Sequence, residues 1–123
     1  MITHNLGYPR IGNNREFKKA VEGYWSEKIT YSQLIQISAT IKQKNWLTQK
    51  ELGIDLIPSN DFSLYDHVLD LAFAFSSIPN RYAKLPRNSE KSKLDLYFAM
   101  ARGYQDGGSD ITAMEMTKWF DTN

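Results

Sequence analysis

Apolar residues in the first part of the chain form one short run followed by a stretch with helical spacing. Residues 2–6 are predicted to be a strand, because the run is short and ends in a turn containing glycine and proline. A helix is predicted next, with Asn13 or Asn14 as its N-cap. Its apolar face runs from Phe17 to Trp25 and is narrow and rich in aromatic side chains.

The clearest helix signal lies between Thr30 and Gly53. Residues 30–33 fit a capping box, and apolar positions then recur with a period near 3.6 until the glycine. Residues 54–58 are short and apolar and end in proline, which predicts a second strand. Strands separated by long helices are typical of parallel β/α units, so the pattern indicates an α/β fold.

The second half of the chain is predicted to be mainly helical. A helix is expected over residues 64–78, a polar surface loop over 80–93 and a short helix over 94–102. A loop is expected over 103–110, and residues 111–123 fit either a helix or a strand. The residues expected to form one buried face of the first of these helices are Leu64, Val68, Leu71, Phe75 and Ile78.

Composition narrows the class of protein. The chain has 123 residues, no cysteine and a net charge of +1, which is typical of one cytoplasmic domain. The absence of cysteine excludes a disulfide framework, a catalytic thiol and a thiolate zinc site. No apolar run is long enough for a membrane span, and the near-neutral charge argues against nucleic acid. We therefore expect neither a membrane nor a nucleic acid as partner.

The charge is unevenly placed along the chain. Residues 1–50 carry 8 Lys/Arg and 3 Asp/Glu. Arg15, Lys18 and Lys19 fall in the first turns of the first predicted helix, where the helix dipole repels cations. This placement indicates a carboxylate or phosphate site that uses free helix N–H groups. The alternative is a solvated basic face that Glu16 and Glu22 partly compensate.

Three further patterns suggest chemistry without completing a site. Residues 7–12 have the glycine spacing of a phosphate loop, but the residues that follow lack the required Lys and Ser/Thr, which favours a simple turn. His67 and Asp70 share a helix face but make an incomplete metal site, so a surface pair is favoured. Lys118 lies in an apolar segment and either meets a ligand carboxylate or reaches the surface.

Longer blocks of sequence carry a family resemblance. They are GYPRIG at 7–12, REFKK at 15–19, GYW at 23–25, GIDLIPSNDF at 53–62, YDHVLD at 65–70, Ala101-Arg102-Gly103 and EMTKWFDTN at 115–123. In this order they resemble the start of cobalamin-independent methionine synthase, and they span essentially the whole chain. Several long blocks in the right order are far more specific than any one short motif.

The resemblance implies the first β/α units of a TIM (β/α)8 barrel, incomplete and with helix-rich connections. A complete barrel of this kind takes about 250 residues. Residues 1–123 would then be a single partial domain at the start of the N-terminal, folate-binding barrel. The zinc-binding catalytic barrel of the family would be absent, so we expect this chain to bind neither zinc nor homocysteine.

The activity implied for the parent protein is methyl transfer from 5-methyltetrahydropteroyltri-L-glutamate to homocysteine, which gives methionine. The resemblance implies contact with the folate polyglutamate by six residues. They are Arg15, Glu16, Phe17, Lys18, Lys118 and Asn123. A polyglutamate tail is a chain of carboxylates, in agreement with the basic residues at the start of the first helix.

The resemblance also sets expectations for the isolated chain. Alone it should have no methyltransferase activity, because the zinc barrel is missing. The parent enzyme is expected to be a monomer. Open sheet edges and an apolar helix face would favour self-association of the fragment. The alternative function is a stand-alone, non-catalytic module for folate binding or protein interaction.

Overall fold

The computed structural model describes residues 1–114, and the chain divides into two compact units. The first unit is Met1–Leu64 and the second is Tyr65–Asn123. The described residues contain helices and one small sheet, which agrees with the predicted α/β class. Each unit has its own hydrogen bonds and buried side chains.

Two packed helices form most of the first unit. Helix α1 is Glu16–Trp25 and helix α2 is Tyr31–Glu51. The predicted capping box is confirmed: the Gln33 N–H donates to Thr30 Oγ1 at 3.3 Å, and the Thr30 N–H donates to Gln33 Oε1 at 2.8 Å. The buried side chains of the two helices include Phe17, Ala20, Val21, Leu34 and Ile41.

The start of α1 differs from the prediction. Neither Asn13 nor Asn14 is the N-cap; that position is Arg15, whose backbone is left-handed with φ 60° and ψ 33° and whose side chain makes no capping hydrogen bond. The reason is that the carboxylate of Glu16, the first residue of the helix, accepts a hydrogen bond from the preceding loop. The Asn14 N–H donates to Oε2 of Glu16 at 2.9 Å.

The two strands predicted in the first unit are reduced to one bridge. His4 pairs with Leu56 in parallel orientation, and the Leu56 N–H donates to the Thr3 carbonyl at 3.0 Å. Further hydrogen bonds between the two segments involve the Asp55 side chain: the Thr3 N–H and hydroxyl both donate to its Oδ2, at 2.8 and 2.9 Å. The predicted parallel direction is therefore present, but without continuous strands.

In the second unit, helix α3 is shorter than predicted and buries a different side. It spans His67–Ala74, with Asp66 as N-cap accepting from the Leu69 N–H at 2.9 Å. The predicted buried face is wrong, because Val68, Leu71 and Phe75 are 73%, 55% and 81% exposed. The side of α3 that carries Asp70 and Phe73 faces the next helix instead.

Helix α4, Glu90–Arg102, is the most buried element of the second unit. It starts earlier than predicted because Ser89 and Ser92 form a second capping box. Tyr97 connects it to α3: its hydroxyl donates to Oδ1 of Asp70 at 2.6 Å, and its ring meets Phe73 edge-on at 5.8 Å between centroids. Short-range spacing in α3 did not reveal this long-range contact.

The region predicted as a loop over 103–110 contains an antiparallel hairpin. Strand β1 is Tyr104–Asp106 and strand β2 is Ser109–Ile111, with Tyr104 opposite Ile111. The turn is Gly107-Gly108, a pair that suits the tight turns of two-residue hairpins. Part of the predicted 80–93 loop is a 3₁₀ helix, Asn80–Tyr82. Of the ambiguous segment 111–123, residues 115–123 lie outside the described part.

Asp55 gives the first unit an acid-sensitive contact. The Thr3 N–H, and then the Thr3 hydroxyl, hold the pKa of the Asp55 carboxyl below its ordinary value. A carboxyl with a lowered pKa in the folded state contributes stability that is complete above its unfolded pKa and is lost as pH falls through its folded pKa.

We therefore expect Asp55→Asn to have a lower melting temperature than the unaltered chain at about pH 7. At about pH 2, where the Asp55 carboxyl is protonated, the two melting temperatures should differ less. Circular dichroism melts over this pH range measure the effect. Glu51→Gln, at the exposed end of α2, is the matched control and should change little. A constant difference between Asp55→Asn and the unaltered chain at every pH would contradict this role of Asp55.

Candidate functional site

The loop before α1 is held in place by bonds to the end of the first unit. The Tyr8 N–H donates to Oδ2 of Asp61 at 2.8 Å, and the Arg10 guanidinium donates to the Ser63 carbonyl at 3.0 Å. Gly7 lies against Asp61 so closely that a Cβ there would be 2.9 Å from the Asp61 Cβ. The loop thus enters α1 from a fixed position.

Phe17, one of the predicted folate residues, is part of the core. Its side chain is 4% exposed and packs edge-on against Phe62, with 5.0 Å between ring centroids. Its N–H donates to the Ile11 carbonyl at 3.1 Å. The structure therefore gives Phe17 a role in anchoring the first turn of α1, and its ring is not accessible to a ligand.

Glu16 also has local partners. Its own N–H and the Asn14 N–H are the largest causes that lower the pKa of the Glu16 carboxyl, and the Lys44 ammonium contributes in the same direction. Its carboxylate is therefore ionised near neutral pH and already hydrogen-bonded. A second carboxylate, such as a glutamate tail, would be repelled by it.

Gly12 leaves the space that Glu16 occupies. A Cβ at Gly12 would overlap Oε2 of Glu16, and the φ of 83° is one that residues with a side chain rarely adopt. The turn interpretation of residues 7–12 accounts for this glycine: it is required by the returning Glu16 side chain. The sequence thus predicted the turn at Gly12, but it did not predict that the side chain of Glu16, four positions later, returns to this glycine.

The start of α1 is not the open array of N–H groups that the sequence suggested. The Arg15 N–H donates to the Gly12 carbonyl at 3.2 Å, and Phe17 and Glu16 N–H groups have the acceptors named above. This part of the prediction is wrong, because the chain supplies acceptors from the preceding loop and from Glu16. The N–H groups of Arg15, Glu16 and Phe17 are therefore already used within the chain.

Arg15, Lys18 and Lys19 form an exposed group that we call the basic surface. Lys18 Nζ lies 3.7 Å from Oε1 of Glu22, and both side chains are about half exposed. Such a pair contributes little in water, so Lys18 can exchange Glu22 for a ligand carboxylate at small cost. The partial compensation proposed for Glu22 is thus present, whereas Glu16 is directed to the loop.

A cavity of about 600 Å³ lies elsewhere in the first unit, between the loop, the start of α1 and α2. Its lining includes Tyr8, Gly12, Glu16, Ile37, Ile41 and Lys44. Arg15 and Lys18 do not line it. Among the predicted site residues that the structure describes, only Glu16 contributes to this cavity.

Of the six predicted site residues, the structure describes the four consecutive ones, Arg15, Glu16, Phe17 and Lys18. Lys118 and Asn123 lie outside the described residues. Arg15 and Lys18 are exposed and can reach a ligand, whereas Glu16 and Phe17 are used within the fold.

The remaining chemical candidates do not form a metal site. His67 Nδ1 lies 3.9 Å from Oδ2 of Asp70, as a surface pair with no third ligand. Within residues 1–114 no group of three His, Cys, Asp or Glu side chains could hold a metal ion, and the sequence has no cysteine. Zinc thus does not fit the described residues. The same part of the chain has no helix that is long and apolar enough to cross a membrane.

Comparison with protein families decides the affiliation of the chain. Residues 2–123 match the family described as "Cobalamin-independent synthase, N-terminal domain". The chain belongs to this family. The resemblance carried by the seven sequence blocks is thereby confirmed.

Individual members of the cobalamin-independent synthase family are similar over the full chain. Proteins named 5-methyltetrahydropteroyltriglutamate-homocysteine methyltransferase from Cytophaga hutchinsonii and Flavobacterium johnsoniae are 62% and 61% identical to it over 123 residues. The protein of the same name from Saccharomyces cerevisiae is 52% identical over 124 aligned residues, which cover 96% of the chain. In each case the chain spans 16% of the relative's length.

We expect Gly12→Ala to destabilise the first unit by more than the cost of a left-handed backbone alone, which is about 1–2 kcal/mol. The matched control is Gly53→Ala, because Gly53 has a similar φ of 79° but no atom within 4 Å of an added Cβ. Urea unfolding of both variants measures the difference. Equal losses in the two variants would contradict the close packing of Glu16 on Gly12.

Proposed function

We propose that this chain is the N-terminal part of a methyltransferase that moves a methyl group from 5-methyltetrahydropteroyltri-L-glutamate to homocysteine. Membership of the cobalamin-independent synthase family and the names of the similar proteins support this proposal. The observation that carries the role of this chain is the basic surface at the start of α1. In this account it binds the triglutamate tail of the folate.

Arg15 and Lys18 are the residues that hold the tail. Arg15 is the N-cap of α1 and Lys18 lies in its first turn, and both residues are exposed, so both side chains can approach one extended anion. A guanidinium or ammonium makes its strongest hydrogen bonds with carboxylates, and a triglutamate carries several of them. Lys118 and Asn123 are proposed to add further contacts to the same folate.

Glu16 and Phe17 support this site in different ways. Phe17 anchors the first turn of α1 in the core, which fixes the helix start relative to the loop. Glu16 closes the loop without meeting the ligand, since its carboxylate is used by backbone N–H groups. The positioning of substrate, rather than bond making, is the contribution of this part of the protein.

The fold we propose for the parent protein is a TIM barrel, of which residues 1–123 form a partial domain. The parallel bridge between His4 and Leu56, with α1 and α2 between its partners, supports a β/α order at the start of such a barrel. Zinc and homocysteine would be bound by the rest of the parent protein. The isolated chain is therefore inactive in this account, and its expected compartment is the cytoplasm.

A chimera tests the proposal. In it, this chain replaces the matching segment of the Cytophaga hutchinsonii relative, with which it shares 62% identity. We expect the chimera to form methionine from homocysteine and the triglutamate substrate. A folded chimera without this activity would contradict the proposal and favour the stand-alone binding or interaction module.

Lys18→Ala in the chimera should raise the KM for the triglutamate substrate about tenfold with little change in kcat. The reason is that one charge-assisted hydrogen bond contributes about 1.5–3 kcal/mol, and the chemistry takes place elsewhere. Lys28→Ala removes an exposed lysine beyond the opposite end of α1 and is the matched control. An equal effect of both substitutions, or a loss confined to kcat, would refute the assignment of Lys18.

A further inference from the structure

We propose that Glu16 is a positioning residue that fixes the left-handed backbone of Arg15 and thereby directs the Arg15 guanidinium to the folate tail. This inference rests on the proposed function and deepens it. It separates two neighbouring residues that the family resemblance treats alike. Arg15 meets the ligand, whereas Glu16 acts on the ligand only through Arg15.

The backbone of Arg15 is the first observation. Its φ of 60° and ψ of 33° lie in the left-handed region, which is uncommon for a residue with a side chain and which Glu27 and Ser76 also adopt among the described residues. Strained residues of this kind cluster at functional sites, where they determine the direction of a side chain. Relaxation of Arg15 to an ordinary backbone conformation would turn its guanidinium away from its present direction.

The contacts of Glu16 show what enforces this conformation. Its Oε2 accepts from the Asn14 N–H at 2.9 Å, directly before Arg15, while its own backbone begins α1 directly after it. The Arg15 N–H in turn donates to the Gly12 carbonyl at 3.2 Å. Arg15 thus lies within a short loop that is closed by the hydrogen bond between the Asn14 N–H and the Glu16 carboxylate. Gly12 provides the space for this closure because it lacks a Cβ.

The charge of Glu16 makes the inference testable, because two explanations predict opposite changes in ligand binding when this charge is removed. Glu16 brings a negative charge to a surface that is proposed to bind a polyanion, so a purely electrostatic view predicts tighter binding when the charge is removed. The positioning role predicts the opposite for any substitution that removes the reach to Asn14. Lys44, the cation that also acts on Glu16, lies on α2 and is unchanged in every variant considered.

The experiment uses the chimera described above and measures KM and kcat with the triglutamate substrate, together with melting temperatures. Glu16→Ala should raise KM about fivefold and leave kcat within about twofold. Glu16→Gln should retain a KM near that of the unaltered chimera, because its amide oxygen still accepts from the Asn14 N–H. Glu16→Asp keeps the charge but is one carbon shorter, so it should also raise KM about fivefold. It provides the same test if Glu16→Ala fails to fold.

A double-variant cycle shows whether Glu16 acts through Arg15. Arg15→Gly removes the guanidinium but accepts the left-handed backbone without strain. We expect Glu16→Ala to have no further effect on KM once Arg15 is glycine. Glu51→Ala, an exposed glutamate at the end of α2, is the control for loss of a negative charge.

The outcomes separate this inference from the proposed function. An active unaltered chimera in which Glu16→Ala lowers KM or leaves it unchanged would overturn the positioning role alone. Additive effects of Glu16→Ala and Arg15→Gly, or a high KM for Glu16→Gln, would also overturn it. A folded but inactive unaltered chimera would instead contradict the proposed function.

Discussion

The carboxylate of Glu16 determines the conformation of the segment that leads into α1. It returns over Gly12 to the Asn14 N–H, and it takes the place of the side-chain cap that helix starts commonly have. The left-handed backbone of Arg15 lies within this closed loop. Because the group is an ionised carboxylate with backbone donors, the bond is of the stronger, charge-assisted kind.

The rest of the first unit holds the closed loop from the other side. Asp61 and Ser63 accept hydrogen bonds from Tyr8 and Arg10, and Phe17 fixes the first turn of α1 in the core. Buried packing therefore holds the segment from one side, while Arg15, Lys18 and Lys19 remain exposed. Of the four consecutive residues proposed for the ligand site, Arg15 and Lys18 are exposed, whereas Phe17 is buried and the Glu16 carboxylate is hydrogen-bonded within the loop.

Local signals in the sequence predicted what local interactions determine. The capping box of α2 and the helix from Glu16 to Trp25 follow from neighbouring residues, and both are present. The face of α3 could not be predicted in this way. Its apolar stripe has helical spacing, but a contact 27 residues away, between Tyr97 and Asp70, decides which side turns inward. The family resemblance indicated the candidate site. The hydrogen bonds of the Glu16 carboxylate could not be predicted from the sequence, because they depend on the conformation of the preceding loop.

The most direct measurement is a pH titration of the Glu16 side-chain carboxyl in the unaltered chain, followed by nuclear magnetic resonance together with the backbone amide of Asn14. The account predicts that both signals change with one midpoint, below the ordinary range of a glutamate, because the ionised carboxylate is held by that amide. An ordinary Glu16 midpoint with an Asn14 amide that does not follow it would contradict the closure of the loop by Glu16.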